Sequence, residues 1–276
     1  MKNTLYKYLS ILIGAFVLYA CTKSDGVVNV PYEAYGVTAT QGLLKINLAS
    51  SYTVNYSTFM LKVNGKVVGS ALSQRTPFPG GGYNTNGSNY ALYLNVPQGT
   101  DTVSLVIPKV GTNTDSIVYY TTTINIPDNA AYTLHICDTL VNTTTNNTKS
   151  LLIKNPVNLI DTGFCRFRFI HMIPNLPAVD LYLNGVLIKS NISYLQPTDT
   201  FRVATGVNAP GYNSANTTTW AIRPAGALAT TTAIATYASA NGLQSQKTMT
   251  IYTMGYNGIT VAPRMPYVCF TLDNNQ

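Results

Sequence analysis

Charge is scarce in this chain. Only 10% of its 276 residues are Asp, Glu, Lys or Arg, against about 25% in an ordinary soluble domain. Glu33 is the only glutamate, and the Glu/Lys/Ala/Leu runs that build exposed helices are missing. Histidine occurs only as His135 and His171, and there are four cysteines. There is no Cys-x-x-Cys, no His-x-x-x-His and no Asp-Gly calcium loop, so no metal site is assigned. A Gly-x-Ser-x-Gly elbow is also missing, and neither histidine stands in a context that suggests a triad. Paired carboxylates could exist among the aspartates, but no spacing singles out a pair. The chain is therefore expected to be non-enzymatic, with no catalytic residue and no cofactor. The formal net charge is +7, yet the basic residues are scattered. Lys154, Arg166 and Arg168 come nearest to a group, too sparse to track a phosphate backbone, so no nucleic-acid partner is expected.

What fills the space left by charge is Thr, Asn, Ser and Tyr, with an apolar fraction of 46%. β-Branched and aromatic residues suit a pleated surface, and Asn, Gly and Pro punctuate it. Short apolar-alternating runs separated by turn signals predict an all-β chain of antiparallel sandwiches. The alanines of 227–240 could suggest a helix, but Thr230, Thr231, Thr232 and Ile234 favour strand and loop.

No apolar run is long enough for a permanent membrane helix. Leu9 to Leu18 is interrupted only by Ser10 and Gly14 and falls short of the roughly 20 residues that span a bilayer core. Lys2 and Lys7 precede it, and Leu18-Tyr19-Ala20-Cys21 follows. This resembles the bacterial lipoprotein processing site. The resemblance implies a signal peptide over 1–20, an acylated (palmitate-type) Cys21 and a polar tether over 21–34. Two or three acyl chains give a stable anchor to the membrane. The residue after Cys21 is not aspartate, which by the same resemblance points to the outer membrane. Low charge with abundant Thr and Tyr fits the cell surface.

An internal repeat organises the rest. Phe59-Met60-Leu61-Lys62-Val63-Asn64-Gly65 matches Val179-Asp180-Leu181-Tyr182-Leu183-Asn184-Gly185, each with an Asn-Gly pair suited to a type I′ hairpin turn. In the same order, Gly82-Tyr83-Asn84 answers to Gly211-Tyr212-Asn213 and Tyr90-Ala91-Leu92 to Trp220-Ala221-Ile222. Tyr132-Thr133-Leu134-His135-Ile136 answers to Met249-Thr250-Ile251-Tyr252-Thr253. The boundary falls between Asn155 and Gly163, giving one sandwich over 35–155, the more divergent copy, and a second over 156–276.

Arg166-Phe167-Arg168-Phe169-Ile170-His171, followed by Pro174-Asn175-Leu176-Pro177-Ala178-Val179-Asp180 and a strand ending in Asn184-Gly185, resembles the bacterial domain-of-unknown-function family 4397. The likeness is stronger over 164–276 than over 35–155, where Leu44-Lys45-Ile46-Asn47-Leu48 replaces the Arg-Phe-Ile-His strand. It implies immunoglobulin-like sandwiches of the secreted or envelope kind and carries no activity. Asp180, part of the motif, is expected to fix a turn or pair with an arginine such as Arg168.

Candidate sites follow from the loops. Pro77–Tyr90 and Val207–Trp220 are rich in Gly, Asn and Tyr, a mixture that can stack on sugars or grip a protein loop. Tyr83, Tyr90, Tyr212 and Trp220 are the candidate ligand contacts, with Trp220 foremost. Cys165 and Cys269 fall in the first and last strands of the second copy and are a candidate disulfide, with three reduced buried thiols as the alternative. The expected function is a membrane-anchored binding or adhesion module for a glycan or protein. The alternatives are a structural subunit of an outer-membrane assembly and a hydrolase with an unrecognised carboxylate site.

Overall fold

A computed structural model describes residues 40–51, 58–112, 114–139, 148–156 and 158–274. Ten strands lie before the boundary: β1 (Gln41–Leu48), β2 (Phe59–Val63), β3 (Lys66–Leu72), β4 (Thr76–Phe78), β5 (Gly82–Tyr83), β6 (Leu94–Pro97), β7 (Gly99–Pro108), β8 (Asp115–Ile126), β9 (Ala131–Asp138) and β10 (Thr148–Asn155). Eight follow it: β11 (Phe164–Ile170), β12 (Ala178–Leu183), β13 (Val186–Ser193), β14 (Phe201–Ala204), β15 (Thr219–Pro224), β16 (Ala235–Ala238), β17 (Thr248–Met254) and β18 (Tyr267–Leu272). The alanine-rich stretch is turn and loop ending in β16, as its β-branched residues predict.

The strands form four sheets. The order β3-β2-β7-β8 packs on β10-β9-β1-β4, with β6 also paired to β1. The order β13-β12-β15-β16 packs on β14-β11-β17-β18-β5. Leaving out β5 and β6, the two sandwiches have the same order, and each contains one parallel pair, β1 with β9 and β11 with β17. Both Asn-Gly pairs make the expected turn. Asn64 and Gly65 have φ of 50° and 76°, and Asn184 and Gly185 have 49° and 81°, the double positive φ of type I′.

Each sandwich has its own apolar core. Leu44, Ile46, Leu134 and Ile136 meet Phe59, Leu61, Val103 and Leu105 in the first. Phe167, Phe169, Ile251 and Phe270 meet Val179, Leu181, Trp220 and Ile222 in the second. A third cluster joins the sandwiches, with Cys137 and Ile153 of the first against Ile170, Tyr252, Met254 and Cys269 of the second. Because strand residues alternate faces, this puts the two inner sheets face to face. Strands β9, β17 and β18 are consequently buried along their whole length.

Polar residues of those strands lie in this inter-sandwich layer, and several contacts come in corresponding pairs, while the Tyr252 and Thr271 hydroxyls and His135 Nε2 have no hydrogen-bond partner among the described residues. Lys45 donates to the carbonyl of Leu272, and its structural counterpart Arg168 donates to the carbonyl of Lys154 at 2.8 Å. Thr133 accepts from Asn155 at 2.7 Å, while the equivalent Thr250 donates to Asp273 at 2.9 Å. His135 and its counterpart Tyr252 face each other with ring centroids 5.8 Å apart. Asp138 ties the layer together: its carboxylate accepts from Ser50, from the Ser51 N–H at 2.7 Å and from the Tyr256 hydroxyl at 2.8 Å. Buried charge of this kind persists only where its lone pairs are filled.

The first copy also lends a strand to the second. Gly82 and Tyr83 pair with Thr271 and Phe270 at the edge of β18, and Tyr83 and Ala91 sit in the second core. Sheet membership changes between β10 and β11, within one compact unit that holds both cores.

Candidate functional site

The four candidate ligand contacts have different fates. Trp220 is fully buried. It lies on β15 in edge-to-face contact with Phe167 and Phe270, and its Nε1–H donates to the Gly242 carbonyl at 2.8 Å. This corrects the expectation that Trp220 meets a ligand. The register explains why: Trp220 pairs with Leu183 as Val103 pairs with Val63, so it is a core position of the repeat. Its counterpart is therefore Val103, and Tyr90-Ala91-Leu92 has no equivalent in β15. Tyr83 is nearly as buried, on β5, with its hydroxyl donating to Gln244 at 3.3 Å. Tyr90 and Tyr212 remain exposed, at 69% and 47%, and Tyr212 lines a depression.

The candidate disulfide is absent. Cys137, Cys165 and Cys269 are free and buried. Strand β17 lies between β11 and β18, and Cys269 is level with Ile170, not with Cys165. Two strand spacings and that offset along the strand part the two cysteines by roughly 19 Å, beyond the reach of a bridge. They also face opposite ways, Cys165 into the second core and Cys269 into the inter-sandwich layer. Burial pushes the Cys137 and Cys269 thiols up to about 12, so neither is a ready nucleophile.

The histidines are structural. His171 donates from Nε2 to the Leu176 carbonyl at 2.8 Å, and its Nδ1 accepts from Thr253 at 3.2 Å. Burial pushes it down to about 4. His135 accepts at Nδ1 from Asn47 at 3.0 Å, and burial followed by the nearby Lys45 and Arg168 cations pushes it down to about 3. Asp180 does not pair with Arg168. Its two oxygens accept from the Asn191 N–H at 2.7 Å and the Gly226 N–H at 2.9 Å, fixing a bulge and a turn. Cys21 and the rest of the amino-terminal segment lie outside the described residues.

One surface depression combines exposed candidate residues. The Asn184-Gly185 turn of the β12–β13 hairpin forms one wall and residues 211–219 the other, around a volume of about 370 Å³. Asn184 staples the walls: Nδ2 donates to Pro210 O at 2.9 Å, and Oδ1 accepts from the Thr219 N–H at 2.9 Å. Gly211, at φ +60°, closes over the turn. A Cβ there would stand 2.6 Å from the Asn184 carbonyl, so glycine is required. The loop holds its own shape through Asn213, whose Oδ1 accepts from Ala215 N–H at 3.0 Å. The Tyr212 hydroxyl, the Asn216 amide and the Thr218 hydroxyl line the groove and have no partner among the described residues. No charged side chain lines it. Such a groove can stack and hydrogen-bond, but it has no group suited to proton transfer near neutral pH.

Residues 82–181 match the family model of a domain of unknown function, DUF4397. The chain resembles that family over this segment, which runs from β5 into β12 and so straddles the boundary between the copies instead of covering the second copy alone. It includes the Arg166–Asp180 motif. No curated protein matches the chain.

Among the groove residues, Tyr212 was visible in the sequence as part of a Gly/Asn/Tyr loop. Asn184 and Asn216 were not singled out. The Asn-Gly turn was read only for its backbone, and nothing local showed that the loop before β15 would fold onto it.

Proposed function

We propose that this chain is a non-enzymatic, lipid-anchored binding module of the cell envelope, whose ligand-contact surface is the groove beside Tyr212. The observation that carries the reading is the contrast between used and unused polar groups. Histidines, thiols and Trp220 are consumed by cores and turns, while Tyr212, Asn216 and Thr218 stand in a preorganised groove with their hydrogen-bonding capacity unspent. Preorganisation lowers the ordering cost of binding. The envelope assignment rests on Lys2, Lys7, the Leu9–Leu18 run and Cys21, and the outer membrane, cell-surface face, is the favoured address.

The second reading, a structural subunit of an outer-membrane assembly, is favoured by exposed Val186, Leu187 and Val207 near the β13 edge. Surface proteolysis of intact cells, with mass spectrometry of the mature amino terminus, separates the two. An acylated Cys21 with the body shaved off supports the binding module. An acylated Cys21 with a protected body moves the assignment to the assembly subunit. An unmodified Cys21 removes the lipid anchor.

A further inference from the structure

We propose that the Tyr212 groove takes a neutral carbohydrate, one ligand per chain. This rests on the groove being the binding surface, as argued above.

The ligand class follows by matching chemistry to the walls. An anionic ligand asks for Lys, Arg or a helix N-terminus, and the walls supply none. A cationic ligand asks for carboxylates or an aromatic cage, and a single tyrosine is not a cage. An apolar ligand asks for enclosed aliphatic walls, whereas these are amides, hydroxyls and glycine backbone. A sugar hydroxyl both donates and accepts. The Asn216 amide and Thr218 hydroxyl offer both kinds of partner, and neither is used by the fold. The Tyr212 ring, about half exposed, adds a flat face for the C–H side of a pyranose.

The stoichiometry follows from the other copy. After β4 the first copy sends Gly82-Tyr83 into the sheet of the second, so this loop does not fold back on its own hairpin as the loop after β14 does. Asn64, the counterpart of Asn184, still accepts from the equivalent N–H, that of Thr102, at 2.9 Å. Its Nδ2, however, donates to the Asp101 carboxylate at 2.6 Å instead of to a loop carbonyl. Among the described residues, the hairpin end of the first sandwich therefore lacks the loop wall that closes the groove in the second, although the Asn-Gly hairpin itself is preserved.

The test is an array of neutral and acidic oligosaccharides probed with the purified chain, followed by calorimetry on the strongest neutral oligosaccharide. The proposal expects neutral oligosaccharides to be retained at a stoichiometry near one. Tyr212→Ala and Asn216→Ala should each weaken binding about tenfold or more with unchanged thermal unfolding, and Tyr90→Ala should have no effect. Selective retention of sulfated or uronic oligosaccharides, a stoichiometry of two, or binding indifferent to both groove variants overturns the carbohydrate assignment. If the array retains nothing but capture of a protein partner is lost in Tyr212→Ala, the carbohydrate falls and the binding module stands. If neither glycan nor protein capture depends on Tyr212, both fall.

Discussion

Val103 and Trp220 occupy the same place in their sandwiches, each paired with the last strand residue before an Asn-Gly turn. Lys45 and Arg168 also correspond, as do Asn155 and Asp273, His135 and Tyr252, and Asn64 and Asn184. The inner sheets keep this correspondence because they face one another: a side chain on one copy reaches the backbone of the other, and the reverse contact is made by its counterpart. The outer ends face solvent and have no such constraint. There the loop after β4 became a strand in the neighbouring sheet, while the loop after β14 stayed on its own hairpin and built a groove. A duplicated fold thus diverges at its loops, one copy spending its loop on the neighbouring sheet and the other on its own hairpin.

The largest effect that would break the comparison is at the Val103/Trp220 position. Trp220 fills the second core against Phe167 and Phe270 and satisfies its own N–H. Trp220→Ala should destabilise by about 3–5 kcal/mol. Val103→Ala, at the equivalent place with far less volume, should cost about 2 kcal/mol. Denaturant melts of the two variants check this. Equal losses would mean the positions are not equivalent in packing. The same melt separates a core role from a ligand role, because a contact residue would lower affinity without lowering the unfolding midpoint.

The sequence carried the hairpins, the strand content and the change of sheet near Asn155–Gly163 because these rest on local chemistry: Asn-Gly turn geometry, β-branched alternation and Pro or Gly breaks. It did not carry the inter-sandwich layer. Thr133, His135, Thr250 and Thr271 alternate with apolar residues as they would on a strand with one face in water, and a period of two does not tell solvent from a polar interface. Lys45 misleads in the same way, since a lysine in alternation reads as outward-facing and here is fully buried. The cysteine pairing failed for a different reason. First and last strands of a copy need not be neighbours, and only the sheet order reveals that β17 lies between them. The groove was half legible: composition marked the loop, but the wall opposite came from a turn 26 residues earlier.

A middle-sized effect sharpens the contrast between Lys45/Asp273 and Arg168/Asn155. Burial pushes the Lys45 ammonium down to about 8, opposed by Asp273. Burial pushes the Asp273 carboxyl up to about 6, opposed by Lys45. Between about 4 and 6 the folded chain holds more protons at Asp273 than the unfolded chain, so its contribution to stability falls as pH rises. Between about 8 and 10.5 the unfolded chain holds more at Lys45, so stability rises with pH. The pair is therefore costliest from about pH 6 to 8, where both groups are charged and Lys45 is held by the Leu272 carbonyl and the Tyr93 ring at 4.4 Å. Lys45→Met with Asp273→Leu should raise the unfolding temperature most in that window, as replacing a buried charge pair with apolar groups often does. It should also flatten the alkaline limb and leave the acid side to His135 and His171, whose lowered values make stability rise with pH there. Arg168→Met should leave the alkaline limb in place and move only the acid side, because Asn155 does not titrate while the Arg168 cation helps hold the Asp273 carboxyl and the His135 imidazole down. Thermal melts from pH 4 to 10 decide it, and a double variant that keeps the alkaline limb would remove Lys45 as its source.

The smallest effects belong to the outer surfaces, where the copies have no contact to preserve. Lys62 meets Asp115 at 2.6 Å across the outer sheet of the first sandwich, and Arg202 meets Asp161 at 2.7 Å beside the second. These ion pairs are not structural counterparts. The Lys62 side chain is only 18% exposed, whereas Arg202 and Asp161 are 47% and 76% exposed. Solvent screening at that exposure leaves a surface pair worth about 0–1 kcal/mol. Arg202 also lies over the Phe164 ring at 4.3 Å, a contact through its planar guanidinium that survives loss of the carboxylate. Asp161→Ala should thus change stability by less than about 0.5 kcal/mol, with little response to added salt. Asp115→Ala should cost more, toward about 1 kcal/mol, because it strands a mostly covered ammonium. Paired urea melts at low and high ionic strength measure both, and a larger salt-sensitive loss at Asp161 than at Asp115 would reverse the ranking and place the stronger outer electrostatics on the second sandwich.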